Sequence, residues 1–189
     1  MRPVSALLLA SGKGSRAGKF KPLLQWNGES FLSKVFRSMK EADVLWEIVV
    51  VTGFRSDHLQ AELRTIGAAS VFNPEFELGM HRSIKMGLRA LQPGWSGALI
   101  AHVDQPQLGP DDYTKIVRAF ENSTQSLVRP CFKGSPGTPA ILGFEHLEEI
   151  LAEPDADHGC GYLFLRHPET VLFVEMDDSK CTMDFDTYP

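Results

Sequence analysis

The sequence predicts a three-layer αβα sandwich around a mostly parallel sheet, and three observations carry that expectation. Residues 4–10, 47–52 and 98–103 are short apolar runs without the alternation of a half-exposed strand. That is the pattern of strands covered on both faces. Between them lie stretches in which apolar residues recur at helical spacing, and the alternating βαβα order favours parallel strands with crossover helices. A chain of 189 residues, 43% hydrophobic and 23% charged, is also long enough to bury one substantial core.

Taken in order, residues 4–10 form the first strand. Residues 29–42 place Phe31, Leu32, Val35, Phe36 and Met39 on one helical face. Residues 47–52 read as a second buried strand, and Ser56-Asp57 offers a helix start ahead of residues 58–66. A short strand over 69–72 stops at Asn73-Pro74. A helix over 80–91 begins beside Gly79, and the strand over 98–103 ends at Asp104. Pro110 opens a helix through Phe120, where proline suits the first turn. Further strands are expected over 126–129, 140–144 and 171–175, with helices near 145–152 and 159–166. Ligands of such sheets bind beyond the carboxyl ends of the strands, and both the loop at Gly12 and the carboxylate at Asp104 fall there.

The first strand delivers a loop unlike its surroundings. Gly12, Gly14 and Gly18 let backbone N–H groups approach an anion, while Lys13, Arg16, Lys19 and Lys21 surround them with positive charge in a chain of net charge -5. Local positive charge on an acidic background points to a polyphosphate. Two familiar phosphate loops are excluded by spacing. A G-x-x-x-x-G-K-[ST] loop would need a glycine where Lys13 stands and a hydroxyl where Phe20 stands. A G-x-G-x-x-G dinucleotide turn would need Gly12, Gly14 and Gly18 one residue closer, and an acid after Val49-Val50-Val51-Thr52-Gly53.

Composition narrows the class. The acidic balance argues against a nucleic-acid backbone as partner. No apolar run approaches the roughly 20 residues of a membrane span. Met1-Arg2-Pro3 leads into a strand without the pattern of a secretory signal. Cys131, Cys160 and Cys181 form no CxxC pair, so neither a zinc site nor a disulfide framework is expected, and a reduced, cytoplasmic protein is.

Apart from Ser11 at its third position, the stretch from Leu9 to Lys21 resembles the loop L-[AS]-[AG]-G-x-x-x-R-x-G-x-x-K of the sugar-nucleotidyltransferase-like superfamily. More narrowly, the chain resembles the molybdenum cofactor cytidylyltransferase and guanylyltransferase family, the MobA-like NTP transferases. The resemblance runs nearly end to end. It continues through Asn73-Pro74, Gly79-Met80-His81-Arg82-Ser83, Asp104-Gln105-Pro106, Gly134 to Pro139, Asp157-His158-Gly159 and Asp184-Phe185-Asp186-Thr187. It implies a Rossmann-like nucleotidyltransferase fold over residues 1–189 as a single domain. The implied activity is Mg²⁺-dependent transfer of CMP from CTP to molybdopterin with release of pyrophosphate. The alternatives are cytidylyl or guanylyl transfer to another phosphorylated acceptor, such as a sugar or polyol phosphate, and a non-catalytic nucleotide-binding regulator or chaperone. A molybdoenzyme or its maturation factor is the implied recipient of the product; nucleic acid and membrane are not expected partners.

Each candidate residue has a chemical reason. Lys21 is a compact charge suited to an α-phosphate, and Arg16 can grip the β- and γ-phosphates with its fork. A carboxylate at the end of a buried strand is costly unless paired or metal-bound, so Asp104 is the leading Mg²⁺ ligand; the resemblance, through the family's D-x-D-T stretch, implies Asp184 or Asp186 as second. With Arg16, Lys21 and Asp104 as catalytic residues, Leu9, Ala10, Ser11, Gly12, Gly14, Asn73, Gly79 and Ser83 complete the expected nucleotide site. The resemblance sets Gly137, Asp157 and Gly159 on the acceptor side. Two departures stand out: Ser11 replaces the Ala or Gly that accompanies cytosine or guanine preference in the family, and Gly161 stands where the family's G-D-x-G-x-R stretch has an arginine. His81 and His102 read as structural, the latter as a core residue on a buried strand, and His158 as a loop residue.

Overall fold

The computed structural model describes residues 2–13 and 20–185; Gly14, Arg16 and Asp186, among the candidates, lie outside the described residues. The strands are β1 (Val4–Ala10), β2 (Gln25–Trp26), β3 (Glu29–Ser30), β4 (Ile48–Thr52), β5 (Ala69–Phe72), β6 (Gly97–His102), β7 (Leu127–Phe132), β8 (Ser135–Pro136), β9 (Ala140–Gly143) and β10 (Val171–Glu175). The helices are α1 (Phe31–Glu41), α2 (Ser56–Ile66), α3 (Met80–Ala90), α4 (Pro110–Glu121), α5 (Leu147–Ala152) and α6 (Gly161–Arg166). The main sheet runs β10-β7-β9-β6-β1-β4-β5, with β8 attached to β7. Its pairings are parallel except where β9 runs against both β6 and β7, and where β8 turns back on β7.

All seven residues of β1 are buried, and their alternation makes the sandwich. Val4, Ala6, Leu8 and Ala10 pack with Phe31, Leu32, Val35 and Met39 of α1, Leu59 of α2, and Tyr113, Ile116 and Phe120 of α4. Leu7 and Leu9 point the other way, into the cluster of Ile84 and Leu88 of α3, Ile150 of α5 and Leu163 of α6. A strand with period two therefore joins both helical layers.

The expected boundaries shift in particular places. The helix anticipated from residue 29 starts at Phe31, because Glu29 and Ser30 pair with Gln25 and Trp26 in a small hairpin and Ser30 Oγ caps the helix by accepting Ser33 N at 3.0 Å. The strand expected over 126–129 continues to Phe132, since β10 pairs with it as far as Cys131. The helix expected from residue 159 begins at Gly161.

One loop is clamped onto the start of α3. Gly79 has φ +104°, and a Cβ there would lie 2.4 Å from the Ala156 carbonyl group, whose oxygen accepts His81 N at 3.2 Å. Buried Lys85 meets Asp155 at 2.9 Å. The His81 ring is fully buried, its Nε2 3.2 Å from Tyr162 Oη. Burial, then the Lys85 charge, holds its imidazole below the ordinary pKa against the pull of Asp155 and Glu153; His158 adds to the lowering.

Two outcomes are expected. Leu8→Ala, at the centre of the fully buried strand, lowers unfolding stability by about 3 kcal/mol, read as a fall in urea midpoint at constant slope. Because the folded-state pKa of His81 lies below its unfolded value, its contribution is complete above about pH 6.5 and is lost as pH falls from there through the folded value. Urea midpoints at about pH 7.5 and 5.5 differ accordingly, and His81→Gln narrows the difference.

Candidate nucleotide and acceptor site

β1 and β6 are parallel neighbours with Leu9 opposite His102, so their carboxyl ends open on the same edge. Val103 N donates to Leu9 O at 3.2 Å just beyond the ladder. Chain leaves β1 toward β4 on one side and enters β6 on the other, which makes this crevice the switch point of the sheet. A cavity of about 380 Å³ opens there. Leu9, Ala10, Ser11, Gly12 and Lys13 line it from the β1 end, Gly79, Met80 and Ser83 from α3, and His102 and Asp104 from the β6 end.

Lys21 and Asp104 meet across this cavity, Nζ to Oδ2 at 2.6 Å, with the two side chains 13% and 20% exposed. Lys21 opens a single 3₁₀ turn whose next residue, Pro22, is buried. The preceding Phe20 ring packs edge-on to Phe54 at 6.1 Å, which fixes the turn against the body of the protein. On the other side, Asp104 O accepts Phe185 N at 3.1 Å, and the Phe185 ring lies edge-on to Trp26 of the β2-β3 hairpin at 4.9 Å.

The next residue organises the C-terminal stretch. Buried Gln105 Nε2 donates toward Cys181 O at 3.5 Å, Met183 O at 3.4 Å and Asp184 Oδ1 at 3.3 Å. Asp184 is thus held beside Asp104 by the residue that follows Asp104 in sequence. Desolvation lowers the His102 pKa while Asp104 and then Asp184 raise it, so both carboxylates act on the same imidazole. Hard carboxylate oxygens from the β6 end and from the C-terminal stretch are the donor type a Mg²⁺-like cation takes. His146, Glu149 and His167 form the one three-residue cluster of metal-ligand type among the described residues. Their atoms are already engaged: Ser126 bonds His146 at 2.8 Å, and Glu149 bonds Arg166 at 2.9 Å and His167 at 2.7 Å.

The floor of the cavity is a buried polar trio. Ser11 and Ser83 hydroxyls lie 2.8 Å apart, and Asn73 Nδ2 donates to Ser83 Oγ at 3.0 Å. Asn73 Oδ1 accepts Glu75 N at 3.0 Å, closing the turn after β5. Asn73 itself does not line the cavity; it orients Ser83, which does. Lys13 sits at the rim, ion-paired with Glu77 and half-exposed.

A second cavity of about 230 Å³ lies on the α3 and α6 face of the sheet, sharing Met80 and His102 with the first. Gly159, Cys160 and Gly161 line it. Asp157, expected on the acceptor side, lines the first cavity. Gly137 lines neither. A Cβ there would lie 2.3 Å from Cys181 O, and its own carbonyl accepts Arg129 Nε at 2.8 Å, so this glycine allows the loop and the C-terminal stretch to touch. At Gly79 the close approach comes from Ala156, although the glycine also borders the cavity. His102 is not the core residue expected from its strand: it is partly exposed and forms the wall between the two cavities. Arg129, which sequence reading passed over, projects into the second cavity. Its signal was a lone cation within the apolar strand Leu127–Phe132.

A model of the MobA-like NTP transferase domain matches residues 6–171. The molybdenum cofactor cytidylyltransferase of Escherichia coli (strain K12) is 24% identical over 189 residues, covering 99% of this chain and 93% of that protein. A "Probable molybdenum cofactor guanylyltransferase" of Bacillus cytotoxicus is 27% identical over 143 residues, 68% of each. Among solved structures, Rv0371c of Mycobacterium tuberculosis H37Rv superposes with a TM-score of 0.85 at 19% identity, over 98% of this chain and 93% of that one. A second structure of Rv0371c, described as a complex with manganese, gives 0.73 at 17% identity over 92% and 89%. Among the described residues no helix is long and apolar enough to cross a membrane. The switch-point crevice, the mostly parallel sheet and a family match over most of the chain agree: the protein belongs to the MobA-like NTP transferase family, whose members are nucleotidyltransferases.

Proposed function

We propose that the protein transfers CMP from CTP to the phosphate of molybdopterin and releases pyrophosphate, with a divalent cation, Mg²⁺, bound at Asp104 and Asp184. The observation that carries this reading is the Lys21–Asp104 pair, which sets a cation and a metal-type ligand 2.6 Å apart at the mouth of a cavity with a polar floor. Family membership and the cytidylyltransferase relative, matched over 99% of the chain, support the nucleotide and acceptor. The manganese complex of Rv0371c supports a divalent cation. Three buried, unbridged cysteines suit a reducing, cytoplasmic setting.

In this reading an acceptor phosphate oxygen attacks the α-phosphorus of CTP, a new P–O–P bond forms, and the bond to the bridging oxygen of the β-phosphate breaks. A phosphate monoester is largely dianionic near neutral pH, so the attacking oxygen needs no general base. Lys21 donates to the α-phosphate, where negative charge accumulates; Arg16 takes the β- and γ-phosphates. The Ser11 and Ser83 hydroxyls, fixed by Asn73, present the base and ribose with groups whose hydrogen bonds a wrong base would leave unmet. A bound cation supplies charge neutralisation of the triphosphate.

The test is a pyrophosphate-release panel of CTP and GTP, each with molybdopterin, a sugar phosphate or a polyol phosphate. CTP with molybdopterin is expected to turn over best. Lys21→Ala lowers that rate by about 10²- to 10³-fold, and Asp104→Asn removes its dependence on Mg²⁺, both with unchanged thermal midpoints. Binding of CTP without pyrophosphate from any acceptor, or an Asp104→Asn variant with wild-type turnover, would refute the assignment.

A further inference from the structure

At the edge of the sheet opposite the crevice, two histidines and a glutamate converge. Gly143, the last residue of β9, lies opposite Gly97, where β6 begins, so the chain beyond β9 starts at the far end of β6 from Asp104. It forms a short 3₁₀ turn over Phe144–His146 and runs directly into α5. His146 and Glu149 are three residues apart, and helical geometry sets them on one face. His167 reaches them from the C-terminal end of α6, where its N–H donates to Leu163 O at 2.9 Å and its carbonyl accepts Thr170 N at 3.0 Å. The two imidazole ring centres are 4.9 Å apart. One donor atom from each of the three residues lies within 4.8 Å of the other two.

Charge and outer contacts separate this trio from an ordinary surface cluster. Arg166 is the cation beside it, and it bonds Glu153 at 2.7 and 3.1 Å as well as Glu149 at 2.9 Å. One guanidinium thus serves two carboxylates, and the cluster keeps a surplus negative charge while both imidazoles are neutral. Behind the donor atoms stand further hydrogen bonds. Ser126 Oγ lies 2.8 Å from Nε2 of buried His146 and fixes the ring. Glu149 gives Oε1 to Arg166 and turns Oε2 to His167 Nε2 at 2.7 Å. Contacts of this kind are what aim and hold metal-binding imidazoles and carboxylates.

We propose that His146, Glu149 and His167 form a site for a divalent transition-metal ion of the Zn²⁺ class, bound by two imidazoles and one carboxylate with water in the fourth position. Imidazole donors suit Zn²⁺ and its first-row neighbours, whereas Mg²⁺ takes oxygen ligands. The ion enters between Glu149 and His167. The proton now shared between them shifts to the other ring nitrogen of His167, and the three donors draw in to the roughly 3.3 Å spacing of a tetrahedral site. So placed, the ion staples α5 to the turn between α6 and β10. Its role is structural, because the crevice lies at the other edge of the sheet, and the proposal does not depend on the transferase reading.

The test is metal binding by the full chain after stripping with EDTA. Zn²⁺ is followed by competition with a chromophoric chelator, and Co²⁺ by its visible d–d absorption. Stoichiometric Zn²⁺ binding is expected, with tetrahedral Co²⁺ bands and no thiolate charge transfer. His167→Asn and Glu149→Gln each weaken Zn²⁺ binding about 100-fold, Ser126→Ala weakens it about 10-fold, and Asp104→Asn leaves it unchanged. Zn²⁺ also raises the thermal midpoint of the wild type and not that of His167→Asn. Both substituted ligands are about one-third exposed, and equal midpoints of the metal-free forms exclude loss of fold; if one substitution disturbs the fold, the other carries the test. A thiolate charge-transfer band would move the ion to the cysteines, and a loss confined to Asp104→Asn would move it to the crevice. Either result overturns the proposal. So does Zn²⁺ affinity that is equal in wild type and both ligand variants, or the absence of Zn²⁺ binding by the wild type.

Discussion

A lysine and an aspartate from distant parts of the chain meet across the open ends of two neighbouring strands, and the site is arranged around that meeting. Neither charge could be buried here alone without a large desolvation penalty. Paired at 2.6 Å and partly wet, they neutralise one another at modest net gain, since attraction and lost hydration nearly cancel at such depth. That near balance suits a site for highly charged ligands. A phosphate can claim the ammonium and a cation the carboxylate, with little stability forfeited when the pair parts.

The sheet decides where this happens. With β1 buried on both faces, helices cover both sides of its central strands, and strand ends are where a ligand can reach the backbone there. The order of strands then chooses one pair of ends, β1 and β6, where successive connections diverge. The serine and asparagine beneath add direction to a crevice that topology alone would leave generic.

Much of this was legible in the residues. The run Val4–Ala10 and the helix starts at Ser56, Met80 and Pro110 stand where spacing and turn chemistry put them, because apolar period and backbone preference agree there. Asp104 was recognisable as a carboxylate at the end of a buried strand, and Lys21 as a cation of the glycine-rich loop that follows β1. Other parts were not. The Gln25–Trp26 and Glu29–Ser30 hairpin is too short to carry a periodic signal, and it exists because Trp26 packs on Phe31 and Phe185. Asn73 reads equally as a turn former or a ligand contact from sequence; in space its amide does the first and also bonds Ser83, which lines the cavity. Arg129 and His102 lie in strands that composition assigns to the core. Only the packing of α6 and the 135–139 loop reveals that a cavity reaches them. Arg16, Gly14 and Asp186 lie outside the described residues.

The side-chain amide of Gln105 ties these parts together. It grips the backbone at Cys181 and Met183 and the Asp184 carboxylate, while Cys181 in turn braces the loop that positions Arg129. The stretch from 181 to 185 is therefore a strut spanning both compartments rather than an appendage. Trimming it, or crowding it with a bulky fusion partner, would slacken the walls of both cavities at once, so defects that look unrelated would share a single mechanical origin.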